Sequence, residues 1–469
     1  MPYLDLPIIK GDKVANNTDY RDSLPVNFTA VSKPLLRSAG YLISHPGLTE
    51  FGSSVGIDRG GYWNERQNRH YRVSGNSLVT IDENGESTTV GSVLGSSQAS
   101  LTHSFNSQAV VSGGNMYLVQ NDGTFSQVTD PNLGNPIDIT WIDGYYFLTD
   151  GEFVYHTNLT NESEIEPLQF ATAEFDPDPT LAVDTTSDNQ VIVFGRYSTE
   201  YFINRATENF AFQRIQGKAV KAGVVGTHCE TELEGSFYIL GGGREESVSL
   251  HVISAGTYQS IATREVDKII SEYTESQLST AILETRVEDR DRFIVVQLPG
   301  HTLLYNATIA KERGIRDAWT IVQSGLSGDR WRGVNGVYDP RISEWVYGDR
   351  IDNRLGLLDK TGGTQYGEIV ESILFTPFFY IETGSIDELE LEIIPGHQVN
   401  DEHVTCAISL TYDGVTFGKE WWATYGNQYQ YMQRFIAYRL GYVRDWASVK
   451  VRAASRERLA FSNCRISYG

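Results

Sequence analysis

Three short segments carry residue types suited to chemistry. Gly241-Gly242-Gly243 is a glycine run of the sort that lets a backbone wrap a phosphate. Arg244-Glu245-Glu246 follows it, where a phosphate-binding loop needs Lys and then Ser or Thr. A hairpin turn is the expected reading. Asp82-Glu83-Asn84-Gly85-Glu86 has the acidic flavour of a calcium loop but lacks the spaced ligands and the distal Glu, so it too reads as a turn. Glu174-Phe175-Asp176-Pro177-Asp178-Pro179 sets two aspartates between prolines. It is either an acidic rim or a loop whose prolines stop it adding to a sheet edge. There is no GxSxG and no HExxH. The nine histidines, among them His45, His103, His228 and His301, lack metal-ligand spacing. Cys229, Cys406 and Cys464 are odd in number and far apart, which makes neither a disulfide scaffold nor a CxxC site. No catalytic, cofactor-binding or metal-binding residue emerges. With 60 acidic residues, a carboxylate pair in a central channel stays open.

The elements that would position any site are strands. The 469 residues are 40% hydrophobic and 21% charged, enough to bury a core and unlike a disordered chain. The 26 Tyr, 20 Phe and 44 Gly favour strands and tight turns over helices. No stretch of 18 apolar residues occurs, so no membrane-spanning helix is expected. The first residues, Met1-Pro2-Tyr3-Leu4-Asp5, show no signal peptide, and a reducing compartment of synthesis is expected. The net charge of −22 opposes a role gripping duplex phosphates.

Residues 1–60 read as an extended arm or as short strands of a neighbouring domain. From 61 to 362 a repeat appears: an apolar or aromatic run, a Gly or Asp-Gly turn, then a second run. Tyr71, Val110, Tyr146, Ile192, Tyr238, Ile294 and Val346 mark successive units. Their spacing averages about 46 residues, which suits the blades of a β-propeller. Six or seven blades both fit, and stacked sandwiches of hairpins are the competing architecture. Asn84-Gly85, Asp122-Gly123 and Asp150-Gly151 supply the left-handed residues that tight hairpins need. One insert, 264–283, breaks the pattern. Val266, Ile269, Ile270 and Tyr273 fall at helical spacing, and Thr274-Glu275-Ser276-Gln277 reads as a capping box opening a second helix. After a linker around Asp359-Lys360-Thr361-Gly362-Gly363-Thr364, residues 363–469 alternate as a β-sandwich module. Its segment Trp421-Trp422-Ala423-Thr424-Tyr425 is either a core strand or a contact surface. The fold class expected is all-β.

An ordered set of segments resembles one family. It includes Leu24-Pro25-Val26-Asn27, Gly40-Tyr41-Leu42 with Pro46-Gly47, Thr199-Glu200-Tyr201-Phe202, and Ser260-Ile261-Ala262-Thr263. It continues with Lys268 to Thr274, Leu298-Pro299-Gly300-His301, Arg332-Gly333-Val334, Leu374-Phe375-Thr376-Pro377, and Asp413-Gly414 with Gly418; Asp19-Tyr20 belongs to it too. The family is the packaged-DNA stabilisation or tail hub proteins of short-tailed phages of enteric bacteria; residues 80–180 resemble it only loosely. The resemblance implies a structural, non-enzymatic virion protein without cofactor, made in the host cytoplasm. It implies six copies in a ring below the portal and its adaptor, closing the channel on packaged DNA. It also implies that the ring holds the tail needle, helps seat tailspikes, and contacts the genome transiently and non-specifically during ejection. A ring needs two different patches that meet on neighbouring copies. Leu24, Pro25 and Asn27 in the arm, and Trp421, Trp422 and Tyr425 in the aromatic segment, are the interface candidates. Asp176 and Asp178 are candidates for an acidic bore that lets DNA slide. The alternatives are a carbohydrate-binding or glycoside-cleaving propeller, and a host-cell scaffold of the same fold.

Overall fold

The computed structural model describes residues 2–8, 24–33, 40–173, 175–254, 256–398 and 403–469. Asp19, Tyr20 and Glu174, singled out above, lie outside the described residues. Seven antiparallel sheets follow one another along the chain. Six of them span 58–92, 100–127, 138–171, 180–214, 223–260 and 282–330. The seventh takes three strands from 333–359 and a fourth, Gly47–Ser53, from near the start of the chain. Inner strands of successive sheets pack on one another, with Val191–Gly195 on Gly223–Val224 between the fourth and fifth and Glu230–Leu233 on Ile282–Glu288 between the fifth and sixth, and Gly333–Asp339 packs on Asp58–Asn64 to close the ring. The propeller therefore has seven blades.

The turns form where the sequence supplies residues able to take positive φ. Gly85, Gly123 and Gly151 sit at φ of 81°, 90° and 101°. Asp82, the false calcium loop, accepts hydrogen bonds from the amides of Asn84 and Glu86 and shapes its own hairpin. Those backbone bonds hold its carboxyl below the usual range. Gly241 and Gly242 end the strand Ser236–Gly242 ahead of the next turn. The expected helix pair is present as Arg264–Ile270 and Glu275–Leu278, and the Thr274–Gln277 capping box forms. A third helix, Ala307–Arg313, was not anticipated. The Asn306 side chain caps it by accepting from the Ile309 amide.

The sandwich is built from both ends of the chain. Phe435–Ser455 runs for 21 residues and serves two sheets. Its first part pairs with Phe379–Ile393; its last part lies between Glu368–Phe375 and Val404–Thr411. Ala460–Tyr468 pairs with Phe379–Ile393 on one side and with Tyr3–Pro7 and Tyr41–Ser44 on the other. Phe28–Val31 extends that sheet. The described part of the stretch read as an arm is thus strands: three in the sandwich, one closing the propeller and one opening blade one. A continuous apolar cluster joins the sandwich to blades four, five and six, with Phe28, Ile239, Val296 and Phe461 all fully enclosed.

Carboxylates on the inner strands bind neighbouring blades. Asp58 of blade one accepts from Arg72 Nη1 at 2.6 Å and from Asn335 Nδ2 of blade seven at 2.7 Å. Glu284 of blade six takes the Asn335 and Gly336 amides of blade seven at 3.0 and 2.9 Å. Asp138 of blade three takes Ser100 Oγ of blade two at 2.6 Å and the Val183 amide of blade four at 2.9 Å. At one end the channel is crossed. Gln98, between blades one and two, hydrogen bonds Asn335 of blade seven. His228 of blade five bonds the Gln98 backbone.

Four acids, Asp138, Asp184, Glu230 and Glu232, share the channel side of blades three to five. Burial, reinforced by Asp184, pushes Asp138 up to about 7. Burial, reinforced by Glu232, pushes Asp184 up to about 6. Burial and the other three carboxylates push Glu230 well above the usual range, and its Oε2 is enclosed without a hydrogen-bond partner.

Two outcomes follow. A Cβ on Gly52 would sit 2.1 Å from the Gly85 carbonyl oxygen. Gly52→Val should therefore cost about 1–3 kcal/mol and lower the melting temperature, read by circular dichroism. The unfolded chain releases the protons of these acids near the ordinary carboxylate values of 3.8 and 4.5, whereas the fold retains those of Asp184 and Asp138 to about 6 and 7. The folded form holds more protons across that window, so stability falls as pH rises through it. Asp184→Asn should flatten the decline in melting temperature between pH 5 and pH 8 and raise the value at pH 8.

Candidate assembly surfaces

The first interface candidates are spent inside the chain. Leu24 is 8% and Asn27 3% exposed. Val26 bridges Ile321 of blade six and Ile373 of the sandwich. The Pro25 carbonyl accepts from the Ile321 amide at 2.9 Å. Asn27 donates to the Glu371 carbonyl at 2.7 Å and accepts from the Gln323 amide at 2.8 Å. Asn27 adopts φ of 52°, a conformation Asn tolerates better than most residues. Leu24, Pro25 and Asn27 form the seam between propeller and sandwich. The Pro25 carbonyl and the Asn27 side chain are bonded inside this chain, and Leu24 is buried with them.

The aromatic segment divides by strand alternation. Trp421–Gly426 is an edge strand that, among the described residues, pairs only with Val404–Thr411. Tyr425 is fully buried; its hydroxyl donates to the Ile394 carbonyl and accepts from the Ala460 amide, both at 3.0 Å. Burial pushes that hydroxyl's pKa up. Tyr425 is a core residue, contrary to its reading as a contact. Trp421 is half-buried against the core. Trp422 points outward at 63% exposure. Beside it Arg452 forks onto Glu420 at 3.0 and 2.8 Å and reaches Glu371 at 3.0 Å.

A further exposed aromatic stripe lies elsewhere on the sandwich. Tyr438, Tyr442 and Trp446 project from Phe435–Ser455, and Trp446 meets Tyr380 edge-on at 5.4 Å. Sequence reasoning missed this stripe because bulges in this strand shift which residues face outward. Arg439, Gly441 and Asp445 take positive φ and break the simple alternation. Those residues between aromatics four apart are the signal that was available.

The acidic candidates are also tied down. Asp176 Oδ1 pairs with Arg244 Nη2 at 2.7 Å. Asp178 Oδ2 accepts the Tyr197 and Ser198 amides at 2.6 and 3.1 Å, and its Oδ1 accepts from Ser198 Oγ at 3.0 Å. Both belong to the loop between blades three and four. The side chains they bind lie at or beside a groove of about 940 Å³ between blades four and five and the helix pair. In it the guanidiniums of Arg196 and Arg244 stack 4.4 and 4.8 Å from the Tyr197 ring, and Arg196 pairs with Glu275 at 2.6 Å. Among the described residues no group of three or more His, Cys, Asp or Glu is placed to hold a metal ion.

Comparison with known proteins agrees with this two-part architecture. Residues 4–363 match the family model described as bacteriophage P22 Gp10, beta-propeller, and residues 371–469 match the one described as bacteriophage P22 Gp10, beta-sandwich. The chain is 32% identical to the tail hub protein gp10 of Salmonella phage P22, with 99% of each chain covered. Among solved structures, virginiamycin B lyase from Staphylococcus aureus aligns with 66% of this chain and 98% of its own at 10% identity and a TM-score of 0.44. The Pan2 WD40 domain of Neurospora crassa aligns with 67% and 96% at 6% identity and a TM-score of 0.43. With both halves matched in order and one relative aligned from end to end, this chain belongs to the bacteriophage P22 Gp10 family.

Proposed function

We propose that the chain is a structural tail hub of a short-tailed phage virion. The observation that carries this reading is the end-to-end match to a tail hub protein, through propeller, helical insert and sandwich alike. A seven-bladed body fused through a continuous core to a sandwich suits a rigid part. In this reading six copies form a ring below the portal and its adaptor, close the channel on the packaged genome, hold the needle and help seat tailspikes. The genome later passes through that ring, and the protein acts without catalysis. The sandwich supplies the contact surface, since its exposed aromatics are the side chains that most often anchor protein interfaces.

Light scattering of the purified chain, alone and with portal–adaptor complex, tests the assembly. Six copies bound per complex is the expected outcome, and a chain that never binds would overturn the hub reading. Trp422→Ala tests the surface. Its side chain is largely solvated, so melting should stay within about 0.5 kcal/mol of the parent. The number of hub copies per tail, counted by gel densitometry, should fall. Full occupancy in the variant would remove Trp422 from the interface.

A further inference from the structure

The first hairpin turn of every blade emerges on the same face of the ring, the face opposite the Gln98 crossing. Four consecutive turns there bring together side chains that are far apart in sequence. Arg66 comes from blade one, Phe105 from blade two, Trp141 and Asp143 from blade three, and Asn189 from blade four. Those of blades two, three and four wall a cleft of about 400 Å³, lined by Phe105, Trp141, Asp143 and Asn189 with Thr185 and Thr186. That volume lies within the ~300–1,000 Å³ common for small-ligand sites.

Its chemistry is unlike the rest of the surface. Phe105 is 53% exposed, yet its ring is held in place. Trp141 meets it at 5.0 Å and 87°, and the Arg66 guanidinium covers it at 4.4 Å. Asp143 is equally fixed. Its Oδ1 accepts from Asn189 Nδ2 at 2.9 Å and its Oδ2 from Asn204 Nδ2 at 3.1 Å. Each oxygen keeps a lone pair for another donor. The Trp141 indole N–H is enclosed and finds no acceptor in the protein.

We propose that this cleft is a saccharide-binding site and that its ligand is a neutral oligosaccharide. Aromatic rings pack against the apolar C–H faces of a pyranose, while a fixed carboxylate, an amide and two threonine hydroxyls match its ring of hydroxyls. Charge selects within that class. The residues that wall the cleft include the Asp143 carboxylate, the one cation beside them, Arg66, already lies over the Phe105 ring, and the chain carries a net charge of −22, so sialylated and sulfated chains are disfavoured. The site lies away from the sandwich surface assigned to assembly, so its test does not depend on the ring.

Saturation-transfer NMR on the purified full chain tests it, with maltotetraose, chitotetraose and mannotetraose as probes and a sulfated oligosaccharide as the charge control. At least one neutral probe should show transfer and the sulfated one should not. Phe105→Ala removes the exposed ring. Asp143→Asn keeps a residue that tolerates the φ of 51° found there but removes the carboxylate acceptor. Each should weaken binding at least tenfold with the melting temperature unchanged. Absence of transfer from all three neutral probes, or parental affinity in both variants, would overturn the proposal. If Phe105→Ala lowers the melting temperature, Asp143→Asn decides alone.

Discussion

Everything in this molecule depends on one pairing, that of Gly47–Ser53 with Arg354–Asp359. A ring of blades has no intrinsic end. It closes only if its last sheet is completed by chain from before its first, and here the partners are some three hundred residues apart. The same early segment runs on from strands embedded in the sandwich. Tyr3–Pro7, Phe28–Val31 and Tyr41–Ser44 lie in the sheet that Ala460–Tyr468 joins. Closing the propeller and completing the sandwich are thus the same event, topologically. The Val26–Asn27 bridge between blade six and the sandwich then ties the bodies at a second point. Inner-strand carboxylates work on a smaller scale, holding each blade against its neighbour with short hydrogen bonds.

Local devices were legible in the sequence, and long-range ones were not. Asn-Gly and Asp-Gly turns, the capping box at Thr274 and the alternation of Leu389 and Leu391 announce themselves within a few residues. All three are built as read. Leu24-Pro25-Val26-Asn27 looks the same whether it lies on a partner or in a seam of its own chain, because its hydrogen bonds go to blade six and the sandwich. Tyr425 shows the limit of composition. In a run of aromatics on one strand, alternation sends Trp422 outward and Tyr425 inward, and only the register decides which. Asp184 and Glu230 carry no sequence signature of proximity. Each is an ordinary acid on its own strand until the ring brings three blades together.

The division of charge and aromatic surface is uneven. The chain is strongly acidic, but several of its acids are occupied: Asp176 by Arg244, Asp178 by a turn, Glu420 and Glu371 by Arg452. What the sandwich leaves to solvent is aromatic rather than simply acidic. Propeller and sandwich therefore offer different materials to their surroundings. One presents scattered aliphatic side chains and a shallow, aromatic-walled cleft, and the other presents rings of Tyr and Trp on a rigid sheet.

The crossing of the propeller channel by Gln98, Asn335 and His228 has a consequence for traffic. Each propeller is a stoppered spool, not a pipe. Nothing as thick as a nucleic acid threads along its axis while the ring keeps its seven blades. Any passage that an assembly of these chains encloses must run between copies, walled by the outer faces of the bodies. Its width is then set by how many copies stand side by side, and its lining is a property of the assembly that no single chain possesses.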